Sequence, residues 1–417
     1  MSEVPASGGS GGPSANPARA KGRGPAGVTR NVVALGVVSL LTDVSTEMIL
    51  PVLPLFVTGV LHASVTSVGV IEGVAECTAA MLRLASGWLS DRIGRRKPFL
   101  MFGYGISTVA KGAMALAASW PAILALRFAD RVGKGLRNPP RDALIADSVE
   151  PQYLGRAFGL HRAMDTLGAA LGPLVAFAML QRNPTAFRDI FGLSAVPALL
   201  SIVVLGIFVR APRHVARRST GGFRGEVKAL GAPFMRFLAV DAVFQLGNSS
   251  MAFVLLRSRD VGLNAGQVVL GYLGYNLVYA LLSWPLGALS DRIGRRPLLL
   301  ASYALYAGAY ALLAFGVTRW AALGALALLG VQSALMEGQA RSLIADFVPE
   351  DRRATAYGVY YTVVGAALLP ASVLAGVLWD RVGAAATFGV DAALAAVAAL
   401  LFLTVLPSRL ELRDRHG

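Results

Sequence analysis

Cysteine is almost absent from this sequence: Cys77 is the only one, and it lies inside an apolar run. An intramolecular disulfide and a cysteine-based metal site are both excluded. The four histidines, His62, His161, His214 and His416, are scattered, so no metal-spaced cluster exists and neither a metal nor a cofactor is expected. Charge is also scarce, at 15% of 417 residues against 55% hydrophobic residues, with a mean hydropathy of +0.58. A soluble domain needs nearer a quarter charged residues to cover its surface, so an ordinary water-soluble globule is ruled out. The sequence contains no Gly-x-x-x-x-Gly-Lys-Ser/Thr loop and no nucleophile elbow, so neither nucleotide-driven transport nor an enzyme is expected.

What is present in quantity is apolar sequence. At roughly 20 residues per crossing, the chain can hold about a dozen membrane spans. Apolar runs are read at about 31–60, 66–90, 98–118, 121–147, 153–180, 188–210, 233–257, 265–289, 297–316, 320–346, 353–379 and 384–406. They are too long and too continuously apolar for the alternating ten-residue strands of a barrel, which leaves an all-α polytopic membrane protein. Residues 1–30 are Gly-, Ser-, Pro- and Ala-rich with scattered basic residues, and read as a disordered tail. The segment 211–232, with Arg213, Arg217, Arg218, Arg224 and Lys228, reads as a central loop, and 407–417 as a second tail.

The net charge is +15, from 39 basic and 24 acidic residues. The basic residues collect in short segments between apolar runs and form no continuous face, so nucleic acid is not an expected partner. Lys and Arg outside the runs number 24 on the side of the tails and 6 on the other. The asymmetry predicts cytoplasmic termini in an inner membrane, with the basic loops against anionic lipid headgroups.

The sequence nearly repeats itself after 200 residues. Gly87-Trp88-Leu89-Ser90-Asp91-Arg92-Ile93-Gly94-Arg95-Arg96 returns as Gly287-Ala288-Leu289-Ser290-Asp291-Arg292-Ile293-Gly294-Arg295-Arg296. Leu144-Ile145-Ala146-Asp147 returns as Leu343-Ile344-Ala345-Asp346, and Gly168-Ala169-Ala170-Leu171 before Pro173 as Gly365-Ala366-Ala367-Leu368 before Pro370. Two parallel six-helix halves, 31–210 and 233–406, are therefore expected, an arrangement suited to alternating access about a site between them.

The paired loops resemble the signature of the major facilitator superfamily. Gly159, Gly168, Gly172 and Pro173 in the fifth run resemble its antiporter motif, although Ala176-Phe177 stands where the full motif ends in Gly-Gly. Arg127 falls where the superfamily keeps a buried arginine, and Pro51 and Pro54 resemble the proline pair of its drug/proton antiporter branch. The resemblance implies twelve helices in two pseudo-symmetric bundles, a small-molecule substrate exchanged for protons, and a monomer. It also implies a gating role for Asp91 in a charge-relay latch, with Asp291 its counterpart. The competing reading of these loops, an orientation anchor, explains Arg92, Arg95, Arg96, Arg292, Arg295 and Arg296 but not the aspartates. In the Asp91 loop Gly94 suits the positive φ of a tight reversal, and Gly87 permits a close helix contact.

Ionisable residues inside spans are costly and mark function. Asp43 and Glu47 share one helix face, as do Glu72 and Glu76 on the next helix. Paired carboxylates in a low dielectric are natural proton carriers. Asp130 and Asp165 complete the acids of the first half. Arg127 and Arg131 on the fourth helix could hold an organic anion or metabolite, or could pair with those acids. In the second half Asp241, Gln245 and Asn248 share a face and form a candidate second wall of the site. The expected function is proton-coupled efflux of a small amphipathic compound, with anion transport by the fourth-helix arginines as the alternative.

Overall fold

The computed structural model describes residues 28–93, 95–210, 230–349 and 352–405. The tails, the central loop over 211–229, Gly94, and the side chains of Asp91 and Asp291 lie outside the described residues. Helices account for nearly all of the rest. In the first half they are α1 (Arg30–Ile49), α2 (Leu53–Gly59), α3 (Val65–Ile93), α4 (Arg96–Met114), α5 (Trp120–Asp147), α6 (Leu154–Arg182) and α7 (Phe187–Phe208). The second half contains α8 (Ala232–Leu246), α9 (Met251–Asp260), α10 (Ala265–Ile293), α11 (Arg295–Phe315), α12 (Arg319–Phe347), α13 (Arg353–Arg381) and α14 (Ala384–Val405).

Two of the expected continuous runs are broken. The first divides at residues 50–52, where Pro51 cannot donate the next ladder bond, and Pro54 opens α2. The seventh divides at Gly247–Ser250, where Ser250 caps α9 by accepting from the Ala252 amide. The breaks occupy corresponding places in the two halves, as discontinuous transporter helices do.

Counting each broken pair as one crossing, ten helices among the described residues are long and apolar enough to span a bilayer. The other two are α4 and α5. Arg96, Lys97 and Lys111 interrupt α4, while α5 carries Arg127, Asp130, Arg131, Lys134, Arg137, Arg141 and Asp142. These two are held by partners inside the protein, whereas α7 and α14 have the highest mean hydropathies, 2.4 and 2.2, and expose leucine, valine and isoleucine outward. Leu116, Trp284 and Phe315 are each about four-fifths exposed, an apolar belt that only lipid can cover.

The halves are built alike. α1 packs on α6 and α7, α3 on α5, and α4 on α5 and α7; correspondingly α8 packs on α13 and α14, α10 on α12, and α11 on α12 and α14. The halves meet along α3–α13 and α6–α10, with α2 touching α9. Small residues make the α3–α13 contact close: a Cβ on Gly73 would stand 3.1 Å from the Leu369 Cα, and one on Gly376 2.6 Å from the Thr66 Cα. At one end of this contact, Asp380 accepts from the Val65 and Thr66 amides at 3.1 and 2.8 Å and from the Thr66 hydroxyl at 2.6 Å, capping α3 from the opposite half.

Prolines inside helices free a carbonyl one turn back. Pro139 in α5 frees Gly135, whose oxygen accepts from Ser86 of α3 at 2.8 Å. Pro173 in α6 frees Ala169, whose oxygen accepts from Asn276 of α10, across the interface, at 3.4 Å.

Candidate functional site

The motif loops act on helix ends. Arg96 pairs with Asp147 at the end of α5, and Arg295 pairs with Asp346 near the end of α12. Lys97 donates to the Gly206 and Val209 carbonyls at 2.9 and 2.8 Å, covering the C-terminus of α7; Arg296 donates to Leu403 at 3.3 Å in α14. A cation at a helix C-terminus meets unpaired carbonyls and the negative end of the dipole. Gly294 has φ 91°, the left-handed conformation expected of the loop glycine. The close contact expected at Gly87 is no tighter than ordinary packing. Gly87 has only ordinary contact room against Pro139 at 3.4 Å, and Gly287 has no neighbour within 4 Å of a Cβ. Arg92, Arg95 and Arg292 are exposed.

Between α3, α4 and α5 lies a buried charge network. Arg127, 1% exposed, pairs with Glu72 at 3.2 Å and Asp130 at 3.5 Å. Arg131, equally buried, pairs with Glu76 at 3.3 Å and approaches Asp130 at 3.9 Å. Ser107 of α4 donates to Asp130, and Lys111 donates to Thr46 of α1 at 2.7 Å. The helical spacing that puts Glu72 and Glu76 on one face of α3 and Arg127 and Arg131 on one face of α5 brings those faces together. The arginines are thereby engaged by acids, which disfavours their use as an open anion site. Arg141 lies near the end of α5, bonded to Asp142 at 2.9 Å and to Ser39 of α1 at 3.3 Å.

Asp43 and Glu47 are differently placed. A Cβ on Gly168 would stand 2.9 Å from the Asp43 Cβ, and one on Gly172 would stand 2.7 Å from the Glu47 Cβ. Two glycines of α6 thus seat the two carboxylate-bearing positions of α1. Gly159 does not contribute: it is exposed, with nothing within 4 Å of a Cβ, so the seam rests on Gly168 and Gly172. Among the described residues no ion pair reaches Asp43 or Glu47. Glu47 instead accepts from the Tyr272 hydroxyl of α10, in the other half, at 2.8 Å. Tyr272 and Asn276 are the repeat counterparts of Glu72 and Glu76, so positions that carry charge in one half make neutral contacts between halves in the other. Asp165 pairs with His161 at 3.4 Å on α6.

In the second half a cavity of about 400 Å³ opens among α8 to α12. Gln245, Asn248 and Ser249 wall it at the helix break, Tyr275 and Tyr279 from α10, Tyr306 and Tyr310 from α11, and Gln332 and Ser333 from α12. Among the described residues its lining holds no Asp, Glu, Lys or Arg. Tyr306 and Tyr310 stack at 4.0 Å, and their hydroxyls donate to the Gly247 and Ser249 carbonyls exposed by the break, at 2.9 and 3.3 Å. Of the expected wall, Gln245 and Asn248 line the cavity, whereas Asp241, one turn deeper, does not. Tyr303, Tyr306 and Tyr310 share one helix face at a spacing of three and four, a pattern that in sequence reads equally as ordinary packing.

Two six-helix bundles around a polar interior, broken where they approach that interior and lipid-facing outside, define a membrane transporter and not an enzyme. The chain belongs to the Major Facilitator Superfamily, whose family model matches residues 35–256 and 237–416. An uncharacterized MFS-type transporter of Methanocaldococcus jannaschii is 34% identical over 91% of this chain and 95% of its own. A probable 4-methylmuconolactone transporter of Cupriavidus pinatubonensis is 28% identical over 82% of this chain and 81% of its own. The crystal structure of a mutant form of the peptide transporter POT superposes with a TM-score of 0.78 at 15% identity, over 93% of this chain and 96% of that one, a likeness of fold.

Proposed function

We propose that the protein is a proton-coupled exporter of a small amphipathic compound, working by alternating access between two halves, 31–210 and 233–406. In this reading it is a monomer of the cytoplasmic membrane. The tails, the 211–232 segment and the Asp91 and Asp291 loops face the cytoplasm, with Arg92, Arg95 and Arg292 against anionic headgroups.

The observation that carries the proposal is the Glu47–Tyr272 hydrogen bond. Among the described residues no ion pair reaches Glu47, although Lys134, Arg131 and Arg127 lie within electrostatic reach; it sits on a close helix seam, and its bond runs to the half that must move relative to it. Protonation removes the charge that makes Glu47 a strong acceptor, so it weakens a bond between the halves. Asp43, one turn away on the same face, is within electrostatic reach of Asp165 and Glu47 and shares the proton-carrying role. Glu72, Glu76 and Asp130 hold Arg127 and Arg131 instead. The tyrosine-rich cavity offers aromatic faces and neutral hydrogen-bonding groups to the substrate.

The alternative is carriage of an organic anion or metabolite. The relative named for 4-methylmuconolactone supports a small organic metabolite, but the paired arginines argue against their serving as its anchor. The experiment is proton movement in energised everted vesicles carrying a pH-sensitive dye, on adding amphipathic cations, neutral aromatics and organic anions. Proton release on adding a cationic or neutral compound, abolished by Asp43→Asn or Glu47→Gln, is expected. A response only to anions, unchanged in both variants and lost on Arg127→Met, sinks the proposal and favours the alternative.

A further inference from the structure

The cavity wall is connected to a buried acid by a chain of amides. Asn248 donates through Nδ2 to the Gln245 Oε1 at 2.8 Å, and Gln245 donates through Nε2 to the Asp241 Oδ2 at 3.2 Å. Tyr303 of α11 donates to the Asp241 Oδ1 at 2.9 Å, and the Tyr360 hydroxyl of α13 is also hydrogen-bonded to Asp241. Asp241 is 1% exposed and Gln245 4%, while Asn248, half-buried at the helix break, lines the cavity beside Gln245. The titratable groups around this stretch of α8 are Tyr303 from α11, Tyr360 from α13 and Asp391 from α14; Arg236, on α8 itself, is exposed near the helix start. Among the described residues no ion pair includes Asp241. It is unlike Glu72, Glu76 and Asp130 of the first half, which hold arginines.

An ionised carboxylate only accepts hydrogen bonds, and a side-chain amide has one accepting and one donating end. With Asp241 ionised, Gln245 must turn its NH2 inward and its oxygen toward Asn248. Asn248 then spends an N–H on Gln245 and leaves its own oxygen for the cavity. A proton on Oδ2 makes Asp241 a donor at the position where Gln245 also donates, which is not tolerable in a buried site. The clash is relieved when Gln245 turns over and accepts. Its NH2 then faces Asn248, which must in turn offer its oxygen inward and its NH2 to the cavity.

We propose that Asp241, Gln245 and Asn248 form an amide relay that converts proton uptake at a buried acid into reversed hydrogen-bond polarity at the cavity wall. With Asp241 ionised the cavity selects an aromatic molecule bearing a donor, such as a hydroxyl or N–H group; with it protonated the cavity selects an acceptor. The relay rests on the cavity being the substrate site of the proposed carrier, and it gives the second half its own proton dependence, separate from Asp43 and Glu47.

The test uses the full chain in lipid nanodiscs and two fluorescent probes, 2-naphthol, which donates and accepts, and 2-methoxynaphthalene, which only accepts. Affinities are measured between about pH 5 and about pH 9, a range wide enough for a buried carboxylate to titrate. The preference for naphthol should be greatest at high pH and fall about fivefold to tenfold at low pH, the worth of one net hydrogen bond. Gln245→Met should give a preference that no longer changes with pH, whatever its effect on overall affinity, and Asp241→Asn should do the same. Asn248→Ala, at the break and away from the packed core, should give the same flat ratio should either of the others fail to fold. A pH-dependent preference that survives Gln245→Met or Asn248→Ala overturns the relay, as does a wild-type ratio that is flat with pH or an absence of binding by either probe. If vesicles show no proton coupling while the wild-type preference still falls at low pH and the variants abolish that change, the exporter reading fails and the relay stands.

Discussion

Gly172→Ala is a one-methyl change whose outcome can be worked from distances. The new Cβ would stand 2.7 Å from both the Glu47 Cβ and the Val44 carbonyl oxygen, and 3.0 Å from the Glu47 carbonyl carbon. Carbon contacts are comfortable at about 3.5 to 4 Å, so α1 would have to withdraw by about 1 Å. The obstructing atoms belong to backbone and to a Cβ, which cannot swing aside. Overpacking of this kind costs about 1–3 kcal/mol. Against it stands the intrinsic gain of alanine over glycine inside a helix, about 0.8–1 kcal/mol. Gly159→Ala on the same helix receives the gain without the cost, because nothing lies within 4 Å of its Cβ. The two variants should therefore differ by about 1–3 kcal/mol, Gly159→Ala being the more stable. The assay is SDS-induced unfolding of the purified protein in mixed micelles, followed by tryptophan fluorescence. A withdrawal of 1 Å would also stretch the 2.8 Å Glu47–Tyr272 bond beyond hydrogen-bond range, so proton-coupled transport should fall in Gly172→Ala and hold in Gly159→Ala. If Gly172→Ala proves as stable as Gly159→Ala, the reasoning that Gly172 sets the α1–α6 distance is refuted.

Two further outcomes follow from other contacts. Arg127→Met alone should cost about 3–5 kcal/mol in the same unfolding assay, since it leaves Glu72 buried without its arginine, and Glu72→Met should cost less because Arg127 keeps Asp130; the double variant should recover much of the loss, and strictly additive losses would show that the pair is not coupled. Asp380→Ala removes the cap that the second half places on α3, so it should cost about 0.5–2 kcal/mol and bias the halves toward parting at that end. Maleimide labelling of Ser372→Cys, which lies on the α3–α13 contact, should then accelerate about 2- to 30-fold, and unchanged labelling would show that Asp380 does not hold the interface closed.

The fold was legible because membrane burial demands long apolar runs and because the two loop motifs mark a repeat that no single-copy architecture would produce. The helix breaks were not, since an apolar run reads the same whether it is one helix or two. Pro51 hinted at the first break; the second rests on Gly247–Ser250, a set of small residues that a hydropathy reading passes over. Within the site, pairs set by helical spacing were readable face by face: Asp43 with Glu47, Glu72 with Glu76, Arg127 with Arg131. Which face meets which depends on helix rotation, which the sequence does not encode locally. So the engagement of the arginines by Glu72, Glu76 and Asp130 stood only as one of two readings, and the bond from Tyr272 to Glu47 lay beyond reach. The cap on α3 by Asp380 joins residues more than three hundred positions apart and left no local trace.

The loop contacts set what can move. Arg96 with Asp147 and Lys97 with the end of α7 fasten three helices of the first half to one another, and Arg295 with Asp346 and Arg296 with the end of α14 do the same in the second. Every one of these fastenings closes within its own half. Each bundle is thus stapled into a body that resists internal shear at one face, and conformational freedom is confined to the α3–α13 and α6–α10 seams. Glycines line the first of these seams, and among the described residues no ion pair crosses it. Substitutions in the loops should therefore loosen the bodies, and substitutions in the seams should change how often they part.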